Sequence, residues 1–326
     1  MSLCNKRVPV VGKDGKPRMP TKASRARRWM AQGKAVAKWS KLGIFYIQLT
    51  IDPGCQTQDI GLGLDPGAKF DGIAVVSKRE VLQTGMTELP QGITQKIDQR
   101  RNQRRNKRYR NYRRREARFD NRTHAEDWLA PSQKSKVDFK LTIIAGLRNL
   151  YPINKCVVED VCFNHYQKRW GKHFSTVEIG KTLLYQTLFE WFGHLKLVSG
   201  VETARLRSKY GVSKCTDKGK HVVESHAIDA LVIIAEELTL TNLEIPSFYV
   251  WKRYQYRRRQ LHKFQCAKGG IRRREGGSNS LNGFKKGDIV LHRNRLARVG
   301  GYMNGKISLH TVGLKNKRFT QRADKK

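Results

Sequence analysis

Three acidic residues in this chain each border a run that is otherwise apolar: Asp65 ends IGLGLD, Glu159 follows CVV, and Asp229 precedes ALVIIA. A carboxylate in such company needs a partner or a job, because burying it unpaired is costly enough to change its protonation instead. Several carboxylates converging at strand ends are a way to hold Mg2+, whose hard charge prefers oxygen ligands. His226 lies three residues before Asp229, so on a helix both project to one side. An imidazole beside such an ion orients or deprotonates an attacking water. Taken singly, each residue has a plainer reading: Asp65 as a turn residue, Glu159 as a cap or an arginine's partner, His226 as a satisfied histidine. The order strengthens the joint reading, with Asp after the first strand, Glu after a later one, then His and Asp on a helix.

The elements that must position these residues read as an α/β core. IGLGLD and GIAVV, joined by a Pro-Gly turn, predict a hairpin, with a third strand after it. KLTIIAGLRNLYP predicts a buried helix, KCVVEDV a short strand and KTLLYQTLFEWFGHL an apolar helix. LKLVSGVETARLRSKYG predicts a strand with a basic exit loop, and ESHAIDALVIIAEEL one helix with Ser225 as its cap. Residues 1–55 predict a small basic cap: a turn-rich segment around Gly12, Gly15, Pro17 and Pro20, a helix over KASRARRWMAQGKA, and a strand in IFYIQLTI. From residue 247 on, aromatic and basic residues mix, a glycine-rich basic loop follows, and GDIVLH and GKISLHTV predict a small β-barrel.

Charge names the partner. The chain carries 66 Lys+Arg against 27 Asp+Glu, a formal +39 spread over 326 residues. Arginine-rich surfaces gain affinity by releasing counterions from phosphates, so nucleic acid is the expected polyanion. No stretch approaches the roughly 20 apolar residues of a membrane-spanning helix. The six cysteines form no CxxC pair and the basic N-terminus has no apolar signal region, so a reduced, cytoplasmic protein is expected. Residues 99–122, QRRNQRRNKRYRNYRRREARFDNR, show no apolar stripe at any period. No helix breaker occurs between Gly92 and Pro131, so this segment predicts one long helix with basic residues on every face and a partner other than the protein core.

These motifs resemble the RuvC branch of the RNase H-like nucleases. GLDPGAKFDGIAVV looks like its first motif, VVEDV like its second and ESHAIDALVIIA like its third. KPRMPT resembles the Pro-Leu-Met-Pro signature of the transposon-encoded IscB family, with Arg18 in place of Leu. RRRQLHKFQCAKGGIRRREGG with FKKGDIVLH is similar to that family's C-terminal, target-adjacent-motif-binding region. IscB inserts an HNH nuclease domain between the second and third motifs, whereas 66 residues separate Glu159 from His226 here. The chain therefore resembles IsrB, the HNH-less relative of IscB.

The resemblance implies a RuvC core split by an arginine-rich bridge helix. Its divisions would be an N-terminal domain at 1–55, RuvC part I at 56–90, the bridge helix at 91–130, RuvC parts II and III at 131–246, and the C-terminal domain at 247–326. It implies two Mg2+ ions, replaceable by Mn2+, on Asp65, Glu159 and Asp229, with His226 assisting the water. The implied partners are a structured guide RNA (omega RNA) and a double-stranded DNA opened as an R-loop, with one chain per ribonucleoprotein. Nucleic-acid contacts are expected from Arg100, Arg101, Arg104, Arg105, Arg108, Arg110, Arg113, Arg114, Arg115 and Arg118, and from Arg257, Arg258, Lys268, Arg272 and Arg273. The expected activity is nicking of the non-target strand. Its alternatives are an RNA-independent junction resolvase or transposase, and a catalytically inactive RNA- or DNA-binding protein.

Overall fold

The computed structural model describes residues 7–52, 54–109, 128–160, 177–215, 217, 221–253, 283–303, 306–312 and 317–323. The chain divides into two compact units, residues 1–93 with 121–253, and residues 94–120 with 254–326.

The first unit opens with a small sheet in the order β2-β1-β4-β3, made of β1 (Arg7–Val11), β2 (Pro17–Lys22), β3 (Ala35–Trp39) and β4 (Phe45–Leu49), with α1 (Ala23–Ala31) between β2 and β3. The expected turn-rich segment is an antiparallel hairpin. Gly15 takes a left-handed φ of 77° at its tip, and Asp14 accepts a hydrogen bond from the Lys16 N–H at 3.1 Å. The basic helix stops at Ala31 instead of Ala35, because Gly33 turns the chain with φ 68° and the next residues pair with β4. Val10, Ala26, Ala35, Ile47 and Leu49 form the core of this sheet.

The larger part of the unit is a mixed α/β fold. In chain order come β5 (Ile60–Asp65), β6 (Phe70–Ser77), β7 (Val81–Glu88) and α2 (Ile93–Tyr109), the last lying almost wholly in the second unit. They are followed by α3 (Pro131–Arg148), β8 (Lys155–Asp160), α4 (Lys181–Phe192), β9 (Leu195–Ser199), α5 (Gly200–Lys209), α6 (Val223–His226), α7 (Ile228–Glu237) and β10 (Phe248–Lys252). The sheet order is β10-β7-β6-β5-β8-β9. β5, β6 and β7 form an antiparallel meander, while β8 runs parallel to β5, β9 to β8, and β10 to β7.

Both faces of this sheet are covered. Ile60, Leu62, Leu64, Cys156 and Val158 pack with Val137, Ile144 and Leu147 of α3 and Leu184 and Leu188 of α4. Ala74, Val76 and Val157 pack on the other side with Leu206 of α5 and Ala230, Leu231 and Ile234 of α7. A strand buried on two faces reads as a continuous apolar run, which is how IGLGL and CVV stand in the sequence.

Several expectations are corrected here. The segment after β9 is a helix and not a loop: the Ser199 hydroxyl accepts from the Glu202 N–H at 3.2 Å and caps α5, which buries Thr203 and Leu206. ESHAIDALVIIAEEL is two helices divided at Ala227, and Ser225 is no cap, since its buried hydroxyl donates to the Asp217 carbonyl at 3.0 Å. α3 begins at Pro131, in advance of the apolar residues that announced it, with proline in the first turn where its missing N–H costs nothing. Residues 248–252 belong to the large sheet and not to a domain starting at 247. Phe248 pairs with Thr84, and the Trp251 indole donates to the Leu42 carbonyl at 3.1 Å.

In the second unit, α2 accompanies β11 (Ile289–His292), β12 (Arg295–Met303), β13 (Lys306–Thr311) and β14 (Arg318–Ala323), an antiparallel meander in that order. Its core is Ala297, Val299, Ile307, Leu309 and Ala323. Among the described residues the strands are hydrogen-bonded in the order β11-β12-β13-β14. No helix among the described residues is long and apolar enough to cross a membrane.

Candidate active site

Alternation along β5 sets the site. Leu62 and Leu64 enter the α3/α4 core, so Gly61, Gly63 and Asp65 face the opposite side, where α7 lies. The glycines are what let α7 approach. A Cβ on Gly61 would strike the Ile234 side chain, and one on Gly63 would overlap the Ala230 carbonyl oxygen. Gly63→Ala should therefore cost about 3 kcal/mol of stability, by forcing α7 off the sheet. Chemical denaturation measures this, and a cost under about 1 kcal/mol would mean that α7 has room to move.

The parallel register of β5 and β8, Leu64 opposite Val158, brings the next residues, Asp65 and Glu159, side by side. Parity also separates the two acids of VVED. Glu159 shares the α7 side with Val157, whereas Asp160 accepts from Lys181 at 2.6 Å and from the Tyr185 hydroxyl at 3.0 Å on α4. Asp229, in the first turn of α7, completes the group. One carboxylate oxygen from each of Asp65, Glu159 and Asp229 lies within 4.8 Å of the other two; Asp65 is half-buried, and Glu159 and Asp229 are buried.

The electrostatics of the three differ. Burial pushes the Asp65 carboxyl well above the usual range, and the charge of Glu159, a hydrogen bond to it and the charge of Asp229 push the same way. Glu159 lies beside the N-terminus of α5, where a Cβ on Gly200 would stand 3.4 Å from Oε1, so the positive end of that helix faces it. Asp229, 1% exposed, holds two cations: Arg207 of α5 donates to Oδ1 at 2.5 Å, and Lys214 binds Oδ2.

His226 is buried at the end of α6, its ring against Phe70 with centroids 4.7 Å apart. It precedes the helix break instead of sharing a helix with Asp229, and its carbonyl packs where a Cβ on Gly72 would be. Sequence reasoning missed Arg207 and Lys214, which look like two more cations in a chain full of them. It also missed Asp71, whose Oδ1 accepts from Lys140 at 2.9 Å and from the Gly67 N–H at 2.8 Å, tying down the turn that follows Asp65.

The arginine helix is described over α2, which buries none of its residues. At roughly 100° per residue, Lys96, Arg100, Arg101, Arg104, Arg105, Lys107 and Arg108 fall on one half of its circumference. Gln95, Gln99, Asn102, Gln103 and Asn106 occupy the other half. The expectation of a helix basic on every face is corrected for this stretch: it has a cationic side and an amide side. Arg100, Arg101, Arg104 and Arg105 are exposed and Arg108 is half-buried. Arg110, Arg113, Arg114, Arg115, Arg118, Arg257, Arg258, Lys268, Arg272 and Arg273 lie outside the described residues.

The family model for RRXRR protein matches residues 8–179, a little over half of the chain. No curated protein matches it. Among solved structures, T. thermophilus RuvC in complex with a Holliday junction substrate is similar at 11% identity, over 56% of this chain and 98% of that one, with a TM-score of 0.33. The yeast mitochondrial Holliday junction resolvase Ydc2 is similar at 12% identity, over 62% of this chain and 67% of that one, with a TM-score of 0.25.

Proposed function

The chain belongs to the RRXRR protein family, and from that membership and its carboxylate site we propose that it is an RNA-guided DNA endonuclease of the IsrB kind, nicking the displaced strand of a guide-complementary duplex. The observation that carries the reading is the convergence of Asp65, Glu159 and Asp229, with oxygens within 4.8 Å of one another. The RRXRR family is associated with IscB nucleases, which supports the RNA-guided form of the activity. So does α2, whose cationic half suits phosphates.

The site fits a hard divalent cation. Its donors are all oxygen, it keeps net negative charge beside Arg207 and Lys214, and half-buried Asp65 leaves it an open side. Asp65, Glu159 and Asp229 would hold two ions, Mg2+ or in its place Mn2+. When bound, these supply charge stabilisation to the attacking and leaving oxygens of an in-line displacement. Arg207 fixes the Asp229 carboxylate by its 2.5 Å bond, and the positive end of α5 faces Glu159. The His226 imidazole, held in place by Phe70, orients the water and takes its proton.

The described residues form one carboxylate centre, and one centre acts on one strand at a time, so the product is a nick. Guide pairing keeps the target strand in a heteroduplex and leaves the other strand single and free to enter a basic groove. The test is a ribonucleoprotein reconstituted with copurified RNA and given a duplex labelled differently on each strand. Cutting of the non-target strand, only with RNA and a divalent ion, is expected. Cutting without RNA would replace this reading with that of a junction resolvase, and efficient target-strand cutting would refute the strand assignment.

A further inference from the structure

Asp229 meets two cations of different build. Arg207 is part of a capped ten-residue helix and presents a rigid guanidinium to Oδ1. Lys214 stands on the segment after that helix, its side chain about one-third exposed, with its ammonium on Oδ2. That segment is fastened to the helix that bears His226: the Cys215 N–H donates to the Glu224 carbonyl at 2.9 Å, and Ser225 donates to the Asp217 carbonyl at 3.0 Å. The backbone of Lys214 is thus held beside the site while its side chain has an open path to solvent.

We infer that Lys214 is a displaceable internal counter-ion of the carboxylate cluster: it holds an Asp229 oxygen that a divalent cation must share, and it leaves that oxygen for an incoming phosphodiester, so that ion loading waits for substrate. Two cations offset two of the three carboxylates, so little negative charge is left to attract a divalent ion. A second ion would build positive charge that only an entering phosphate relieves. The ammonium reaches the cluster through Asp229 Oδ2, on the carboxylate whose other oxygen Arg207 holds.

The inference rests on the metal-dependent reading above, and one experiment separates the two. Mn2+ binding to the purified full-length chain is measured by the electron spin resonance of the free ion. The titration is run with and without a phosphorothioate single-stranded oligonucleotide, and corrected for the ions the oligonucleotide takes by itself. The parent chain should bind Mn2+ roughly tenfold or more tightly when the oligonucleotide is present. Lys214→Gln should bind it that much more tightly alone and gain little from the oligonucleotide. Lys214→Arg, which keeps the charge, should follow the parent and serves if the Gln variant does not fold. Lys209→Gln, which removes a partner of Glu236 at 2.7 Å outside the cluster, should also follow the parent. Equal Mn2+ affinity in the parent and Lys214→Gln, or a Lys214→Arg chain without oligonucleotide coupling, overturns the role of Lys214 and leaves the metal site standing. Absence of Mn2+ binding in every variant overturns the metal site itself.

Discussion

Asp65→Asn is expected to slow cleavage on the order of a thousandfold, about 4 kcal/mol of transition-state stabilisation, while making the ion-free chain more stable. The two effects share a cause. Asp65 is pressed by burial and by the charges of Glu159 and Asp229, and among the described residues it has no ion-pair partner of its own, so the neutral isostere relieves repulsion as it removes an ion ligand. Asp229→Asn should slow cleavage comparably yet lower stability by roughly 3 kcal/mol, since it strips a buried counter-charge from Arg207 and Lys214. Single-turnover rates in Mg2+ and thermal melts in EDTA give both readouts. Parent-like cleavage by Asp65→Asn would move the active centre elsewhere, and equal destabilisation by the two variants would refute the charge balance described.

The second large effect concerns α2. Replacing Arg100, Arg101, Arg104, Arg105 and Arg108 together by Ala should lower the slope of log affinity against log salt by about 3 to 5, because each phosphate neutralised contributes close to one unit. Alanine keeps the helix, so the loss reports charge and not unfolding. Replacing Gln99, Asn102, Gln103 and Asn106 by Ala should leave that slope unchanged, since the amide half carries no charge to exchange for counterions. Fluorescence anisotropy with the copurified RNA across a salt series distinguishes the halves. A slope that survives the arginine substitutions would mean that the phosphates are held by other cations of the chain.

Periodicity, which is local, made the core strands and their acids legible. An apolar run that stops at an acid marks a strand end whichever strands become its neighbours, so Asp65 and Glu159 stood out, as Asp229 did at the head of an apolar helix. Once a strand is assigned, the two-residue alternation also separates Glu159 from Asp160. The composition pointed to a polyanionic partner, because counterion release depends on charge density and not on fold. The arginine helix was misjudged on finer grounds: a count of cations has no direction, and only the 100° step of an actual helix sorts them from the amides.

By itself the sequence singled out Asp65, Glu159 and Asp229 and roughly the elements that hold them, since both follow from residue type and short-range spacing. Only the tertiary structure decided what surrounds them. The pairing of Phe248 with Thr84 joins segments more than 160 residues apart, and no local pattern encodes such a register. The break of the third motif at Ala227 accompanies the contact of the His226 carbonyl with the bare face of Gly72 on another strand. Arg207 and Lys214 differ from the chain's other cations only in ending at Asp229, because burial removes the water that would otherwise screen them and makes position, not residue type, the source of their role.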